Sequence, residues 1–69
     1  MTVYVHNRHH SREKEKTADP IDEIIIRAAV DISDNLAMPI RIEDDAGNVI
    51  MDQDDLNEKA WAYIESHNI

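Results

Sequence analysis

The one glycine of this chain, Gly47, lies between two short segments in which apolar residues recur. Residues 40–43 read Ile-Arg-Ile-Glu, residues 44–47 read Asp-Asp-Ala-Gly, and residues 49–51 read Val-Ile-Met. Aspartate suits the first position of a type I turn, and glycine suits the left-handed residue that closes it. The sequence therefore predicts an antiparallel β-hairpin over residues 40–51.

The register of this hairpin follows from its turn. If Asp44 lies opposite Asn48 across a bulge at the glycine, then Ile42 lies opposite Ile50. Side chains alternate between the two faces of a strand, so these two isoleucines are predicted to point to the core together with Ile40. The opposite face of the hairpin is then half apolar and consists of Arg41, Glu43, Val49 and Met51.

A helix is predicted to precede the hairpin, beginning at Asp19 and Pro20. An aspartate can accept hydrogen bonds from the free amides of a first helical turn, and a proline at the first helical position loses no bond. Helical spacing continues from there to Leu36, and Pro39 is expected to end the helix. The apolar residues predicted to share its buried face are Ile21, Ile24, Ile25, Ala28, Ala29, Ile32 and Leu36.

A second helix is predicted after the hairpin. Asp52 or Asp54 can cap it, and acidic residues in the first turn suit the positive end of a helix. Trp61 lies at the edge of its apolar face. The residues predicted to form that face are Leu56, Ala60, Tyr63, Ile64 and His67.

The first eighteen residues differ from the rest in charge. They hold four of the seven basic residues and three of the four histidines, whereas thirteen of the fifteen acidic residues follow Ala18. Residues 2–6 alternate and could form one short strand with Val3 and Val5 on its covered face. Residues 7–17 contain no apolar side chain and are expected to be a flexible arm.

These segments together predict an α+β fold. Residues 1–18 form a basic, histidine-containing arm, and residues 19–69 form an acidic α-β-β-α domain of two helices on one antiparallel hairpin. A chain of 69 residues buries a thin core, and without cysteine it has no disulfide to reinforce it. A homo-oligomer or a bound partner is therefore expected, and the absence of cysteine favours the cytoplasm. The longest apolar runs have three residues, which excludes a membrane helix.

No pattern of catalytic, cofactor-binding or metal-binding residues is recognisable. The histidines His6, His9 and His10 lie in a segment without a predicted framework, so we interpret them as part of the arm. Neither a calcium-binding loop counted from Asp44 nor one counted from Asp52 has the required glycine at its sixth position. The serines lack a nucleophile-elbow motif, and a single glycine cannot form a phosphate-binding loop. We expect no enzyme, no cofactor and no metal site.

The net charge of −8 favours binding to a basic protein surface. The leading hypothesis is a non-enzymatic inhibitor or adaptor that occupies the basic surface of a partner, such as a surface that binds nucleic acid. An antitoxin, an antirestriction factor or a phage-encoded inhibitor would act in this way. In such a protein the carboxylates can imitate the charges of a nucleic acid. The residues predicted to bind the partner are Glu43, Asp44, Asp45, Asp52, Asp54, Asp55, Glu58 and Trp61.

Two alternatives remain open. The chain could be a homo-oligomeric structural or assembly subunit of a virus or mobile element, in which apolar residues outside the predicted core faces are buried between copies. Those residues are Ile26, Val30, Val49 and Met51. The arm alone could also bind nucleic acid through Arg8, Arg12, Lys14 and Lys16, whereas the acidic body is not expected to do so.

Overall fold

The computed structural model describes residues 1–68, and these form a four-stranded antiparallel sheet with two helices on one face. The α+β class is thereby confirmed, but two strands, not an arm, precede the first helix. Spatially the strands follow the order β2-β1-β3-β4. The elements in chain order are β1 (Thr2–Arg8), β2 (Ser11–Thr17), α1 (Ile21–Ser33), β3 (Met38–Asp44), β4 (Val49–Met51) and α2 (Gln53–His67).

The expectation of a flexible arm over residues 7–17 is wrong. β1 and β2 form a regular antiparallel hairpin, in register from Thr2 opposite Thr17 to Arg8 opposite Ser11. His9 and His10 connect the strands with φ angles of 53° and 64°, as a two-residue type I′ turn requires. β2 needs few apolar residues because it is an edge strand, and its charged side chains suit that position.

The main core lies between the sheet and the helices. The sheet contributes Tyr4 and Ile42, which lie opposite each other on β1 and β3, and α1 and α2 close over them. We call this side of the sheet the helical side. Its fully buried residues are Tyr4, Ile24, Ala28, Ala29, Ile42, Leu56 and Ala60.

The boundaries of α1 differ from the prediction at both ends. Its N-cap is Pro20, while the amide of Asp19 donates to the hydroxyl oxygen of Thr17 at 3.0 Å, so the predicted cap by Asp19 is wrong. The helix ends at Ser33 because Asn35 adopts a left-handed conformation with φ of 59°, well before Pro39. Leu36 consequently lies outside the helix and is exposed.

The start of α2 agrees with the sequence. Asp52 is the N-cap, and its carboxylate accepts from the amide of Asp55 at 2.9 Å. Leu56 and Ala60 are fully buried, and Tyr63 and Ile64 pack against the core. The predicted apolar face of this helix is therefore largely confirmed.

The predicted turn of the second hairpin is confirmed, but its predicted register is wrong beyond one pair. Gly47 has φ of 88°, and the amide of Asp44 donates to the carbonyl of Asn48 at 2.9 Å. Glu43 lies opposite Val49 as expected, whereas Ile42 lies opposite Met51 and not Ile50. Ile50 is the extra residue of a bulge and is exposed, while Met51 packs against the core.

A second bulge, in β3, moves Ile40 to the other side of the sheet. Val5 pairs with Arg41 and His6 pairs with Pro39, so Ile40 has no partner of its own on β1. It packs with Val3 and Val5 in a cluster separate from the main core. The prediction that Ile40 shares the core with Ile42 is therefore wrong. We call this second side of the sheet, opposite the helices, the open face.

Candidate interaction surface

An apolar groove lies between the end of α1, the start of β3 and α2. It has a volume of about 370 Å³, and its wall includes Ile32, Pro39 and Asn57. Three large apolar side chains at the groove remain exposed, with exposed fractions of 48% for Leu36, 56% for Met38 and 51% for Trp61. Large apolar side chains that are exposed together around one groove are typical of a binding surface.

The groove is built on firm elements. The left-handed residue Asn35 ends α1 and directs the following segment past the groove, where the amide of Leu36 donates to the carbonyl of Asp31 at 2.9 Å. The side-chain amide of Asn57 donates to the carbonyls of Pro39 at 3.3 Å and Gln53 at 2.8 Å. These bonds connect α2 to the start of β3, so both walls are held in place.

Carboxylates share the helical face of Trp61. Asp54 and Glu58 precede Trp61 by seven and three residues, and Glu65 follows it by four, so all three lie on the same side of α2. All three are exposed. Sequence reasoning predicted Asp54, Glu58 and Trp61 as binding residues but missed Glu65, which the four-residue spacing from Trp61 would have identified. We call Leu36, Met38, Trp61 and these three carboxylates the Trp61 surface.

The other acidic residues predicted on α2 have local partners. Asp52 caps the helix. Asp55 lies 3.7 Å from the ammonium group of Lys59, one turn further along. Because Asp55 is six residues before Trp61, it lies on a different side of the helix. The structure therefore does not place these two carboxylates with the Trp61 surface.

The hairpin tip is separate from the groove. One carboxylate oxygen of Asp44 accepts from the amides of Ala46 at 2.9 Å and Asn48 at 2.8 Å, and the other accepts from the side chain of Asn48 at 3.1 Å. The hydrogen bonds from Asn48 above all hold the pKa of Asp44 below its ordinary value. Asp45 pairs with the N-terminal ammonium of Met1. These two carboxylates stabilise the turn and border the open face.

Glu43 lies on the open face and is almost fully buried. It accepts from the guanidinium of Arg41 and lies 3.6 Å from the ammonium group of Lys14. The hydrogen bond from Arg41 lowers the pKa of Glu43, and the charge of Lys14 adds to this effect. This carboxylate is therefore occupied inside the fold and is remote from the Trp61 surface.

The residues predicted for an oligomer interface do not form one surface. Ile26 and Val30 lie side by side on α1, and each is 37% exposed. Val3 and Val5 leave this pair uncovered because they lie on the open face. Val49 is exposed opposite Glu43, whereas Met51 is directed to the core by the bulge at its neighbour.

A buried polar network joins the sheet to α1. The hydroxyl of Tyr4 donates to one carboxylate oxygen of Asp31 at 2.8 Å, and Arg8 donates to the other at 3.2 Å. Burial raises the pKa of Tyr4, and the hydrogen bond to Asp31 adds to this effect. Arg27 lies over the ring of Tyr4, 5.6 Å from its centroid. Sequence reasoning missed this network because its members lie far apart along the chain.

The histidines of the N-terminal segment do not converge. His6 is buried within β1, whereas His9 and His10 lie in the exposed turn. Within residues 1–68, no group of three or more histidine, aspartate or glutamate side chains is arranged to hold a metal ion. Neither α1 nor α2 is long and apolar enough to cross a membrane.

The molecule thus presents an apolar groove with neighbouring carboxylates on its helical side and a differently charged sheet face on the other. Any partner has to be identified from the chemistry of these surfaces. In comparisons with protein-family models, with curated proteins and with solved structures, the chain matches none.

Proposed function

We propose that this protein is a non-enzymatic interaction module, an inhibitor or adaptor, that binds a basic partner protein through the Trp61 surface. The observation that carries the proposal is the position of Trp61, which is half exposed at an apolar groove and shares its helical face with three carboxylates. Tryptophan is enriched among the residues that dominate binding energies. Carboxylates around it select a partner with lysine or arginine near an apolar side chain.

The two parts of the surface have different roles in binding. The net charge of −8 accelerates the encounter with a basic protein and gives the association rate a strong dependence on salt. Burial of Trp61, Leu36 and Met38 removes apolar area from water and slows dissociation. Charge therefore selects the partner, and the groove retains it.

Proteins with nucleic-acid-binding surfaces are suitable partners because those surfaces are basic. The proposal includes antitoxins, antirestriction factors and phage-encoded inhibitors. The support for binding to a basic partner is the exposed Trp61 with its adjacent carboxylates, and not a continuous row of negative charges like that of a nucleic acid. The predicted acidic residues lie in three places, which are α2, the hairpin tip and the open face.

The sole tryptophan makes a direct test feasible, because the intrinsic fluorescence of the protein reports on Trp61. A basic partner captured at low salt from a lysate of the encoding organism would be purified and titrated against this protein. Binding is expected to shift the emission of Trp61 to shorter wavelength. The variant W61A is expected to lose about 2 kcal/mol of binding free energy, or roughly 30-fold in affinity.

A matched pair of charge variants distinguishes the effect of the Trp61 surface on binding from the effect of net charge. Asp54→Lys with Glu58→Lys is expected to weaken binding by more than tenfold. Asp22→Lys with Glu23→Lys makes the same charge change in the first turn of α1 and is expected to have a much smaller effect. Equal losses in both variants, or unchanged Trp61 emission on binding, would contradict the proposal.

A second candidate is a homo-oligomeric structural or assembly subunit, such as one from a virus or mobile element. It is favoured by the pair Ile26 and Val30 on α1, each of which remains 37% exposed among the residues that the structure describes. Sedimentation at high concentration is then expected to reveal an oligomer that Val30→Asp dissociates. Ala62→Asp makes the same change of charge at an exposed position of α2, away from this pair, and is the control that is expected to leave the oligomer intact.

A further inference from the structure

The open face of the sheet carries basic side chains at alternate positions. Arg12, Lys14 and Lys16 of β2 lie opposite Asn7, Val5 and Val3 of β1, respectively. Arg41 of β3 lies opposite Val5 from the other side. Residues directly opposite one another in an antiparallel pair point to the same face. The four cations consequently share one side of the sheet, away from the helices.

These cations lie on an apolar floor. Val3, Val5 and Ile40 form the floor, and all three are buried although no helix covers them. The aliphatic stems of long basic side chains can cover such a floor while their charged ends remain in water. The charges are therefore supported by a sheet and not by a mobile arm.

Positive charge is in excess on this face. Glu43 is the one carboxylate within the cluster, and it pairs with both Lys14 and Arg41. Within residues 1–68, neither Arg12 nor Lys16 makes an ion pair, and the guanidinium of Arg12 is held by the side-chain oxygen of Asn7 at 3.1 Å. The tip carboxylates Asp44 and Asp45 border the end of the face where Lys14 and Lys16 lie, and Asp45 is itself paired with the N-terminal ammonium of Met1. On the face itself, four cations against the one carboxylate of Glu43 leave about three positive charges for a ligand.

We propose that this face binds the phosphate backbone of a nucleic acid. At about 3.3 Å per residue, Arg12 and Lys16 are about 13 Å apart along β2. The same length of duplex DNA carries roughly eight phosphate charges. A nucleic acid therefore offers several phosphates to the row of cations on β2. Carboxylates on a folded protein seldom reach this density of negative charge. The proposal is independent of the function assigned to the Trp61 surface.

The mode of binding follows from the positions of the aromatic residues. Trp61 and Tyr63 belong to α2, and Tyr4 points into the core beneath the helices. None of these three can stack on a base at the open face, so contacts to phosphate and sugar are expected to dominate, and such contacts carry no sequence information. Arg8, which the sequence grouped with the basic residues of the arm, is held by Asp31 on the helical side, and Arg41 takes its place.

The acidic residues on the helical side do not prevent this binding. The molecule measures 35 × 25 × 20 Å, and the Debye length at 0.1 M salt is about 10 Å. Charges on the far side of the molecule are thus largely screened at that salt concentration. The acidic side instead orients the protein, because it favours approach of the polyanion to the open face.

The experiment is fluorescence anisotropy of a labelled oligonucleotide, as a single strand and as a duplex, titrated with the full chain at about 50 and 200 mM salt. With about three phosphates neutralised, affinity is expected to fall roughly 20-fold for the single strand and 40-fold for the duplex between these concentrations. Arg12→Gln with Lys16→Gln is expected to weaken binding about tenfold or more at the lower salt, with a smaller salt dependence.

Lys59→Glu is the matched control, since it changes net charge by the same two units on α2. It is expected to leave affinity within about twofold, and circular dichroism verifies that both variants fold. Equal weakening by Lys59→Glu, absence of binding at about 50 mM salt, or equal affinity for polyglutamate would each overturn the proposal. A fourth result would also overturn it. If the protein sediments as a dimer that does not bind the oligonucleotide, and Arg12→Gln with Lys16→Gln dissociates this dimer, then a second copy occupies the face.

Discussion

The two sides of the sheet both contain buried apolar side chains, but they are covered in different ways. On the helical side, Tyr4 and Ile42 lie beneath two helices, and a buried polar network connects β1 to α1. On the open face, Val5 and Ile40 lie beneath charged side chains of the sheet itself. A small domain can thus bury both sides of one sheet with a single helical layer. The same arrangement separates a basic sheet face from the acidic helices.

The largest expected effect comes from truncating one isoleucine on each side. Ile40 and Ile42 lie two residues apart on β3 but face opposite sides, which makes them a matched pair. Ile42→Ala is expected to lower the free energy of unfolding by about 3–4 kcal/mol, because helices on a rigid core cannot fill the cavity. Ile40→Ala is expected to cost about half as much, since flexible stems can move into the space.

Urea unfolding followed by circular dichroism measures both values. If Ile42→Ala does not fold, the milder pair Ile40→Val and Ile42→Val provides the same comparison. Equal costs on the two sides would show that the open face is packed as tightly as the core, and the distinction drawn between them would fail.

The second prediction concerns the buried carboxylate of the helical side. Asp31→Asn keeps the shape of the side chain but removes the charge that Arg8 and Tyr4 bind, and it is expected to cost about 2–3 kcal/mol of unfolding free energy. Asp34→Asn, at an exposed position three residues later, is the control and is expected to change stability by less than about 0.5 kcal/mol. If chemical denaturation gives the same loss of unfolding free energy for both variants, the buried network does not stabilise the fold.

The third prediction uses pH to examine the open face. The pKa of Glu43 is below its ordinary value of 4.5, so its ion pairs stabilise the folded state above that pH and are lost as the pH falls through the lower, folded-state pKa. Glu43→Gln is therefore expected to be less stable than the natural chain at neutral pH, and the difference should close as the pH falls below 4.5. Unfolding midpoints measured across this range test the expectation.

Glu58→Gln is the control for that series because Glu58 is exposed on α2. It should differ little from the natural chain at any pH. A difference between Glu43→Gln and the natural chain that stays constant down to low pH would mean that Glu43 acts through packing and not through charge.

The smallest expected effect concerns the turn that orders the open face. Both residues of the β1–β2 turn have positive φ, a conformation that asparagine and glycine adopt with less strain than histidine. His9→Asn with His10→Gly is expected to raise the free energy of unfolding by about 0.5–1 kcal/mol. His9→Val with His10→Val should lower it, and thermal unfolding measures both. Loss of stability in the Asn-Gly variant would contradict a type I′ turn.

Local patterns were sufficient for part of the fold. The apolar spacing identified the buried face of α1, including Ile24 and Ala28, and of the two caps that the sequence offered for α2, Asp52 and Asp54, the structure has Asp52. Each of these features depends on residues within a few turns of one another. Asp54 and Glu58 were predicted from the cluster of acidic residues at the start of α2, and the helical spacing then places these two on the same side as Trp61.

The strand β2 could not be predicted in this way. Its residues lack apolar side chains, and its turn is His-His where Asn-Gly would have been the recognisable signal. The strand is held by backbone hydrogen bonds to β1 and by the ion pair between Glu15 and Arg27 of α1. Composition does not reveal that β1 and α1 will lie next to this segment, so the sequence does not distinguish a basic arm from a basic edge strand.

By itself the sequence determined the two helices, the turn at Gly47 and the separation of basic from acidic segments, because each depends on residues close together along the chain. Only the tertiary structure decided which side of the sheet each residue of β3 and β4 faces. One bulged residue reverses the facing of all that follow in a strand, so Ile40 and Ile50 left the predicted core and Met51 entered it. Whether a bulge forms depends on what lies above and below the strand, and here those neighbours are helices and charged side chains from distant parts of the chain.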